Sequence, residues 1–169
     1  MSSVAASLAT VQQVTIRYAY PFILVLGNIG NLAVIAVFSQ KHNRHSSCSL
    51  YLLAAAVFSI IGINWALISS TYAIYQPPDP FSKSLVLCRI RGFILQVTSV
   101  LYKTMVLFGC IDRFALSSTK STVREFSKPK IALKMIGGAT VFWMLMSMHM
   151  LFLENIENNR CGVFGVYGI

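Results

Sequence analysis

Four long apolar runs separated by short polar stretches limit this chain to one broad class of fold. The runs cover about residues 18–38, 49–74, 85–117 and 131–153. Each is at least as long as the ~20 residues that an α-helix needs to cross a bilayer core. Open strand edges cannot face lipid, because no water is present there to satisfy their backbone groups. We therefore predict an all-α membrane protein with four transmembrane helices.

The composition excludes several other classes of protein. Only 11% of the residues are charged, whereas a soluble globular domain carries about 25%. The formal net charge is +9, but the basic residues cluster in short stretches between the apolar runs instead of forming one face for phosphates. We find no metal-ligand pair at helical spacing, no paired carboxylates and no nucleophile–base motif. The sequence therefore predicts no enzyme activity, no metal, no cofactor and no nucleic-acid partner.

The distribution of Lys and Arg predicts an orientation in the membrane, because cytoplasmic loops carry an excess of both. The stretches after the first and third runs hold Lys41, Arg44, Lys120, Arg124, Lys128 and Lys130. The remaining polar stretches hold Arg17, Lys83 and Arg160, with Arg89 and Arg91 nearby, and these two reduce the contrast. We expect an extracellular tail over residues 1–17 and the start of the second extracellular loop over residues 154–169.

The cysteines follow this orientation. It places Cys88 and Cys161 on the extracellular side, where disulfides persist, Cys48 on the cytoplasmic side and Cys110 in the inner half of the third run. We therefore predict a disulfide between Cys88 and Cys161. The alternative is that all four cysteines are small, buried apolar residues.

Lys103 is an unusual residue because it lies near the middle of the third run. An ammonium group at mid-membrane costs at least about 2.5 kcal/mol unless it faces a partner or water. The acidic residues of the chain lie at or beyond the ends of the runs. We expect the partner of Lys103 on helices outside these four. The alternative is a hydrated cavity that needs no ion pair.

Several short motifs occur in a distinctive order along the runs. They are Gly30-Asn31 in the first run, Leu50-Tyr51-Leu52 at the start of the second, Cys88 and Asp112-Arg113-Phe114 at the two ends of the third, Trp143 in the fourth and Cys161 after it. Cys88 and Arg113 are 25 residues apart. In this order and at this spacing, the motifs resemble the N-terminal part of a rhodopsin-like (class A) G-protein-coupled receptor. The resemblance extends from about Tyr18 to the end. It implies four helices of a seven-helix bundle, so we expect the sequence to be a fragment.

The resemblance implies roles for individual residues. Arg113 would close the cytoplasmic face in the resting state, held by Asp112, and would contact a heterotrimeric G protein on activation; Phe114 stands where the family has Tyr. The alternative is an ordinary interfacial charged pair. Asn31 would hydrogen-bond between helices, next to the small residues Gly27 and Gly30. Trp143 would pack against neighbouring helices, and the alternative is an aromatic side chain that faces lipid.

Two positions depart from the family pattern. Ser59, eight residues after Tyr51, stands where the family usually has a sodium-binding aspartate. Leu95, 18 residues before Arg113, stands where amine receptors have an aspartate. The resemblance thus predicts a plasma-membrane receptor in contact with lipid. For its extracellular ligand, we favour a peptide over a biogenic amine. The competing class is a complete four-span scaffold, transporter subunit or channel accessory protein, for which the ordered motifs would be a coincidence.

Overall fold

A computed structural model of the chain describes residues 2–40, 46–75, 80–118, 127–157 and 160–163. The elements are α1 (Ser2–Phe38), α2 (Ser47–Tyr75), α3 (Pro80–Lys83), α4 (Leu85–Ser117), α5 (Pro129–Ser147), α6 (Met150–Leu153), β1 (Glu154–Glu157) and β2 (Arg160–Val163). Among the described residues, four helical segments are long and apolar enough to cross a membrane: Thr10–Phe38, Ser47–Tyr72, Leu85–Ser117 and Pro129–Leu153. The predicted class, a helical membrane bundle, is confirmed. The small antiparallel hairpin of β1 and β2 is an addition to it.

The first helix is longer than the apolar run that predicted it. It begins at Ser2 instead of near residue 18. The first 20 residues contain no Gly or Pro to end a helix. The helix therefore continues through the polar residues that precede the apolar run.

Helix α4 is the most buried of the four long helices and provides half of the buried core cluster. Its buried side chains Val97, Leu101 and Met105 repeat every four residues and therefore lie on one face. They pack against Tyr51 and Ala55 of α2, and against Ala132 of α5. Helices α2 and α5 both contact α4, and α1 packs against α2.

The basic residues Lys41, Arg44, Lys120 and Arg124, which carry much of the predicted orientation, lie outside the described residues. The orientation therefore stays a prediction.

A reciprocal pair of side-chain amides joins α1 to α2. Asn64 Nδ2 donates to Asn28 Oδ1 at 2.7 Å, and Asn28 Nδ2 lies 3.3 Å from Asn64 Oδ1. Each Nδ2 also donates to its own helix, Asn28 to the Leu24 carbonyl and Asn64 to the Ile60 carbonyl, both at 2.8 Å. Such contacts hold membrane helices together because lipid offers polar groups no alternative partner.

A second polar contact lies one turn along the same interface. Asn31 Nδ2 donates to Ser59 Oγ at 3.1 Å and to the carbonyl of Gly27 at 2.7 Å. A Cβ added at Gly27 would lie 3.2 Å from Ile63 Cδ1, so a small residue allows α1 and α2 to approach there. A Cβ added at Gly30, in contrast, would meet no atom of another described residue within 4 Å, so no close approach depends on this glycine.

We predict that Asn64→Leu lowers the free energy of unfolding by about 1 kcal/mol, because Asn28 loses its partner across the interface. Thermal unfolding of the protein in lipid nanodiscs measures this change. The double variant Asn28→Leu/Asn64→Leu is the matched control. It should lose less than the sum of the two single variants, since it leaves no amide behind. Strictly additive losses would contradict a direct interaction.

Candidate functional site

The two ends of α4 carry different sets of polar residues. We call the end at which α2 begins and α4 finishes the Arg113 end, and the opposite end, at which α4 begins next to the hairpin, the disulfide end. The Arg113 end contains the Asp-Arg-Phe motif, and the disulfide end contains the cysteine bridge.

At the Arg113 end, Asp112 is buried beneath the start of α2. It follows Met105 by seven residues and thus continues the buried face of α4, with 6% of its surface exposed. Its Oδ1 accepts a hydrogen bond from Ser47 Oγ at 2.7 Å. Its Oδ2 is buried and has no hydrogen-bond partner among the described residues. Within the described ranges, one hydroxyl, that of Ser47, therefore provides the side-chain hydrogen bonding of this carboxylate.

Ser47 and Ser127 connect three elements at this point. Ser47 Oγ lies within hydrogen-bond distance of two acceptors, Asp112 Oδ1 at 2.7 Å and the carbonyl oxygen of Ser127 at 2.9 Å. Because a hydroxyl has one proton, it donates to one of them at a time. Ser127 Oγ in turn donates to the carbonyl of Asp112 at 3.3 Å. The residues before α5 are thereby held to the end of α4 and the start of α2.

Arg113 is exposed and has a different partner. It lies about 100° around the helix from Asp112, and its Nε donates to Cys48 Sγ at 3.0 Å. The structure thus gives Asp112 and Arg113 separate contacts, to Ser47 and to Cys48, on consecutive residues of α2. The direct hold of Asp112 on Arg113 stays a prediction.

Beside Arg113 lies an apolar cavity of about 450 Å³ between α2, α4 and α5. Tyr51, Asp112, Phe114 and Met135 are among its lining residues. Tyr51 stacks edge to face on Phe108, with ring centroids 5.6 Å apart. Phe114, the residue after Arg113, is 77% exposed.

At the disulfide end, the hairpin is joined to the start of α4. Cys88 of α4 forms a disulfide with Cys161 of β2, with Cα atoms 5.6 Å apart. Arg89 Nε donates to the carbonyl of Glu154 at 3.1 Å, and its Nη2 lies 3.4 Å from Asn155 Oδ1. Of the other two cysteines, Cys48 is buried and Cys110 is exposed.

Glu154 is a partly buried acid at this end. A Cβ added at Gly92 would overlap its carboxylate, so the absence of a side chain at Gly92 lets the Glu154 carboxylate lie against α4 in this position. Burial raises the pKa of Glu154 above its ordinary value, although the Gly92 N–H and the charge of Arg91 act in the opposite direction. Its Oε2 is buried and has no hydrogen-bond partner within the described ranges.

The two remaining predicted residues lie between the ends. Trp143 is half-buried on α5, packs against the core and contacts Phe142 edge to face at 5.2 Å. Lys103 is exposed near the middle of α4.

Known proteins resemble this chain over a little more than half of its length. Neuromedin U receptor homolog nmur-2 of Caenorhabditis elegans is 28% identical over 93 residues, which are 55% of this chain and 23% of that receptor. Probable G-protein coupled receptor 34 of Pan troglodytes is 26% identical over 98 residues, which are 57% of this chain and 25% of that receptor. The protein of the same name in Mus musculus is 28% identical over 97 residues, which are 56% of this chain and 25% of that receptor. The chain thus spans about a quarter of the length of the curated relatives that it matches. No family model matches it.

The chain resembles part of a rhodopsin-like G-protein-coupled receptor. The relatives are receptors, which favours this interpretation over a four-span scaffold or accessory protein. They also agree with the four apolar helices in indicating a multi-pass plasma-membrane protein.

The sequence did not reveal several residues that build the two ends of this receptor-like bundle. Ser47, Cys48 and Ser127 are small residues next to apolar runs, with no pattern of their own. Asn28 offered a signal, since it precedes Asn31 by three residues and so shares its helix face. The contact of Glu154 with Gly92 depends on how the hairpin folds back, and no local pattern predicts that.

We predict that Ser47→Ala lowers the free energy of unfolding by about 1–3 kcal/mol, because the buried Asp112 carboxylate loses its hydrogen-bond donor. Ser117→Ala is the control: its exposed hydroxyl donates to the Arg113 carbonyl of its own helix, and a small effect is expected. Thermal unfolding in nanodiscs compares the two. Equal losses would rule out a special role for Ser47.

The raised pKa of Glu154 predicts a pH dependence of stability. The folded protein keeps the Glu154 proton at pH values at which the unfolded chain has lost it. The free energy of unfolding should therefore fall as the pH rises from below the ordinary value of 4.5 through the raised pKa. Glu154→Gln should remove this part of the dependence, which unfolding curves at a series of pH values measure. Identical pH profiles of the two proteins would show that Glu154 does not cause it.

Proposed function

We propose that this chain forms the ligand-linked and G-protein-linked part of a plasma-membrane receptor, with Arg113 as the residue that contacts a heterotrimeric G protein. The observation that carries the proposal is an exposed Arg113 at the end of the central helix α4, directly after the buried Asp112. The other end of α4 is bonded covalently to the hairpin. One helix thus links the two surfaces between which a receptor must transmit a signal.

The proposed orientation places the disulfide end outside the cell and the Arg113 end in the cytoplasm, with an extracellular N-terminus. The disulfide supports this, since such bonds persist in oxidising compartments. The excess of Lys and Arg in the stretches next to the Arg113 end supports it as well.

Arg113 is suited to change partners. Its Nε contact is a thiol, which is a weak acceptor, so a carbonyl or carboxylate of another protein would replace Cys48 at little cost. Asp112 is held by Ser47 and stays in place while the guanidinium moves. Arginine and exposed aromatic residues are also the side chains that most often dominate protein interfaces. Arg113, Phe114 and the neighbouring apolar cavity offer both kinds of contact to the G protein.

For the ligand, we propose a peptide in preference to a biogenic amine. Leu95 supplies no carboxylate for an ammonium group, and the position is partly buried on α4. The hydroxyl of Ser59 is engaged by Asn31 and carries no charge to hold sodium. One relative is named as a homolog of a neuromedin U receptor.

Arg113→Ala tests the proposed function in the receptor made from its native gene. Binding to a nucleotide-free heterotrimeric G protein should fall at least about tenfold, which corresponds to ~1.4 kcal/mol, while the surface level of the receptor is unchanged. Lys130→Ala is the control, because Lys130 is an exposed cation near the same end of the bundle but lies on α5. Co-precipitation from membranes and nucleotide exchange measure the binding. Wild-type coupling by the Arg113→Ala variant would overturn the proposal.

A further inference from the structure

We propose that one exposed face of α4 is the docking surface for a further transmembrane helix of the same polypeptide, and that this helix carries a carboxylate at the depth of Lys103. We call this surface the Lys103 face. It consists of Ser99, Lys103, Leu107, Cys110 and Phe114, all of them exposed. The steps between them are four, four, three and four residues, so the five side chains form one stripe along the helix.

The Lys103 face lies opposite the face that builds the core. At 100° per residue, its members point about 180° away from the stripe of Val97, Leu101, Met105 and Asp112. Helix α4 is therefore covered on one side by α2 and α5 and open on the other. Exposed Leu and Phe side chains are compatible with lipid and indicate no partner by themselves. Lys103 is the member that lipid does not accommodate.

The depth of Lys103 makes its exposure costly. It follows Leu85 by 18 residues and precedes Ser117 by 14, which places it about 27 Å and about 21 Å from the two ends of the helix. An ammonium group there is too deep to reach the headgroups, unlike a lysine near a helix end, and costs at least about 2.5 kcal/mol. A carboxylate on a facing helix removes this cost, because it supplies both the opposite charge and hydrogen-bond acceptors.

The four long helices do not supply that carboxylate. The acidic residues of the chain are Asp79, Asp112, Glu125, Glu154 and Glu157. Asp112 is nine residues further along α4, about 13.5 Å along the axis, and it lies on the opposite face in contact with Ser47. The others lie outside the four predicted spans. The carboxylate that we propose for Lys103 therefore lies on a helix other than these four.

The length of the relatives favours a helix of the same polypeptide over a separate protein. About a quarter of each relative is matched by this chain, so most of each relative lies outside the region compared. The Lys103 face also extends to Phe114, next to Arg113, so a helix docked on it would contact the proposed G-protein surface. The inference rests on the proposed function only in assigning the carboxylate to the same receptor.

The first test uses the sign of a stability change in the receptor made from its native gene. If Lys103 is paired, Lys103→Met leaves a carboxylate buried without its partner, so the amount of folded receptor at the surface and its melting temperature should both fall, the former several-fold. Lys103→Arg should keep the wild-type values. Lys134→Met is the matched control, because Lys134 is exposed on α5 only five residues from its start, and little change is expected. An unchanged or more stable Lys103→Met variant would overturn the proposal, since removing an unpaired ammonium group lowers the cost of insertion.

The second test identifies the partner. Dicyclohexylcarbodiimide, which enters the bilayer, activates a carboxylic acid as an O-acylisourea. An amine in contact attacks this group, so that an amide forms and dicyclohexylurea leaves. Mass spectrometry of the treated receptor should find Lys103 joined to an Asp or Glu that follows residue 169 in the same polypeptide. A link to a second copy, to another protein or to one of the five acids named above would overturn the proposal, as would the absence of any link. Neither test depends on G-protein coupling, so a failure of the proposed function leaves both of them valid.

Discussion

The packing of one face of α4 against α2 and α5 determines where every other feature of this bundle lies. Val97, Leu101 and Met105 fill the space between the three helices. The same face continues through Asp112, so the register that buries Met105 also buries the carboxylate seven residues later. Arg113, one position further, is turned out of the core. Helix geometry thus separates the two charged residues of the motif: the Asp112 carboxylate is buried and held in place, and the Arg113 guanidinium is accessible.

Lipid imposes the second constraint, because polar side chains inside the bundle must find partners on neighbouring helices. Asn28 and Asn64 satisfy each other, Asn31 reaches Ser59, and Ser47 reaches Asp112. These contacts add to the apolar packing in fixing how α1, α2 and α4 sit against one another, because a hydrogen bond forms only when donor and acceptor are brought into register. Ser59, at the position where the receptors that this chain resembles usually have an aspartate, is the acceptor for Asn31.

The two ends of α4 are built differently, in keeping with the proposed direction of signalling. The disulfide end is fixed by a covalent bond and by the fit of Glu154 against Gly92. The Arg113 end is held by hydrogen bonds of single hydroxyl groups and by an arginine–thiol contact. Weak contacts of this kind can be exchanged for those of a partner, whereas the disulfide keeps the hairpin attached to α4 throughout.

The sequence by itself determined the helical membrane class and the approximate positions of the four long helices, and it predicted the pairing of Cys88 with Cys161 that the structure contains. Apolar run length and charge placement are properties of the chain that need no knowledge of its packing. Only the tertiary structure decided which residues meet: Ser47 with Asp112, Cys48 with Arg113, Asn28 with Asn64, and Glu154 with Gly92. These partners are from 36 to 65 residues apart in the chain, and their contact depends on how the helices are rotated about their axes. In a helix that is apolar on all sides, hydrophobic pattern does not specify that rotation, and the interlocking of side chains around α4 does.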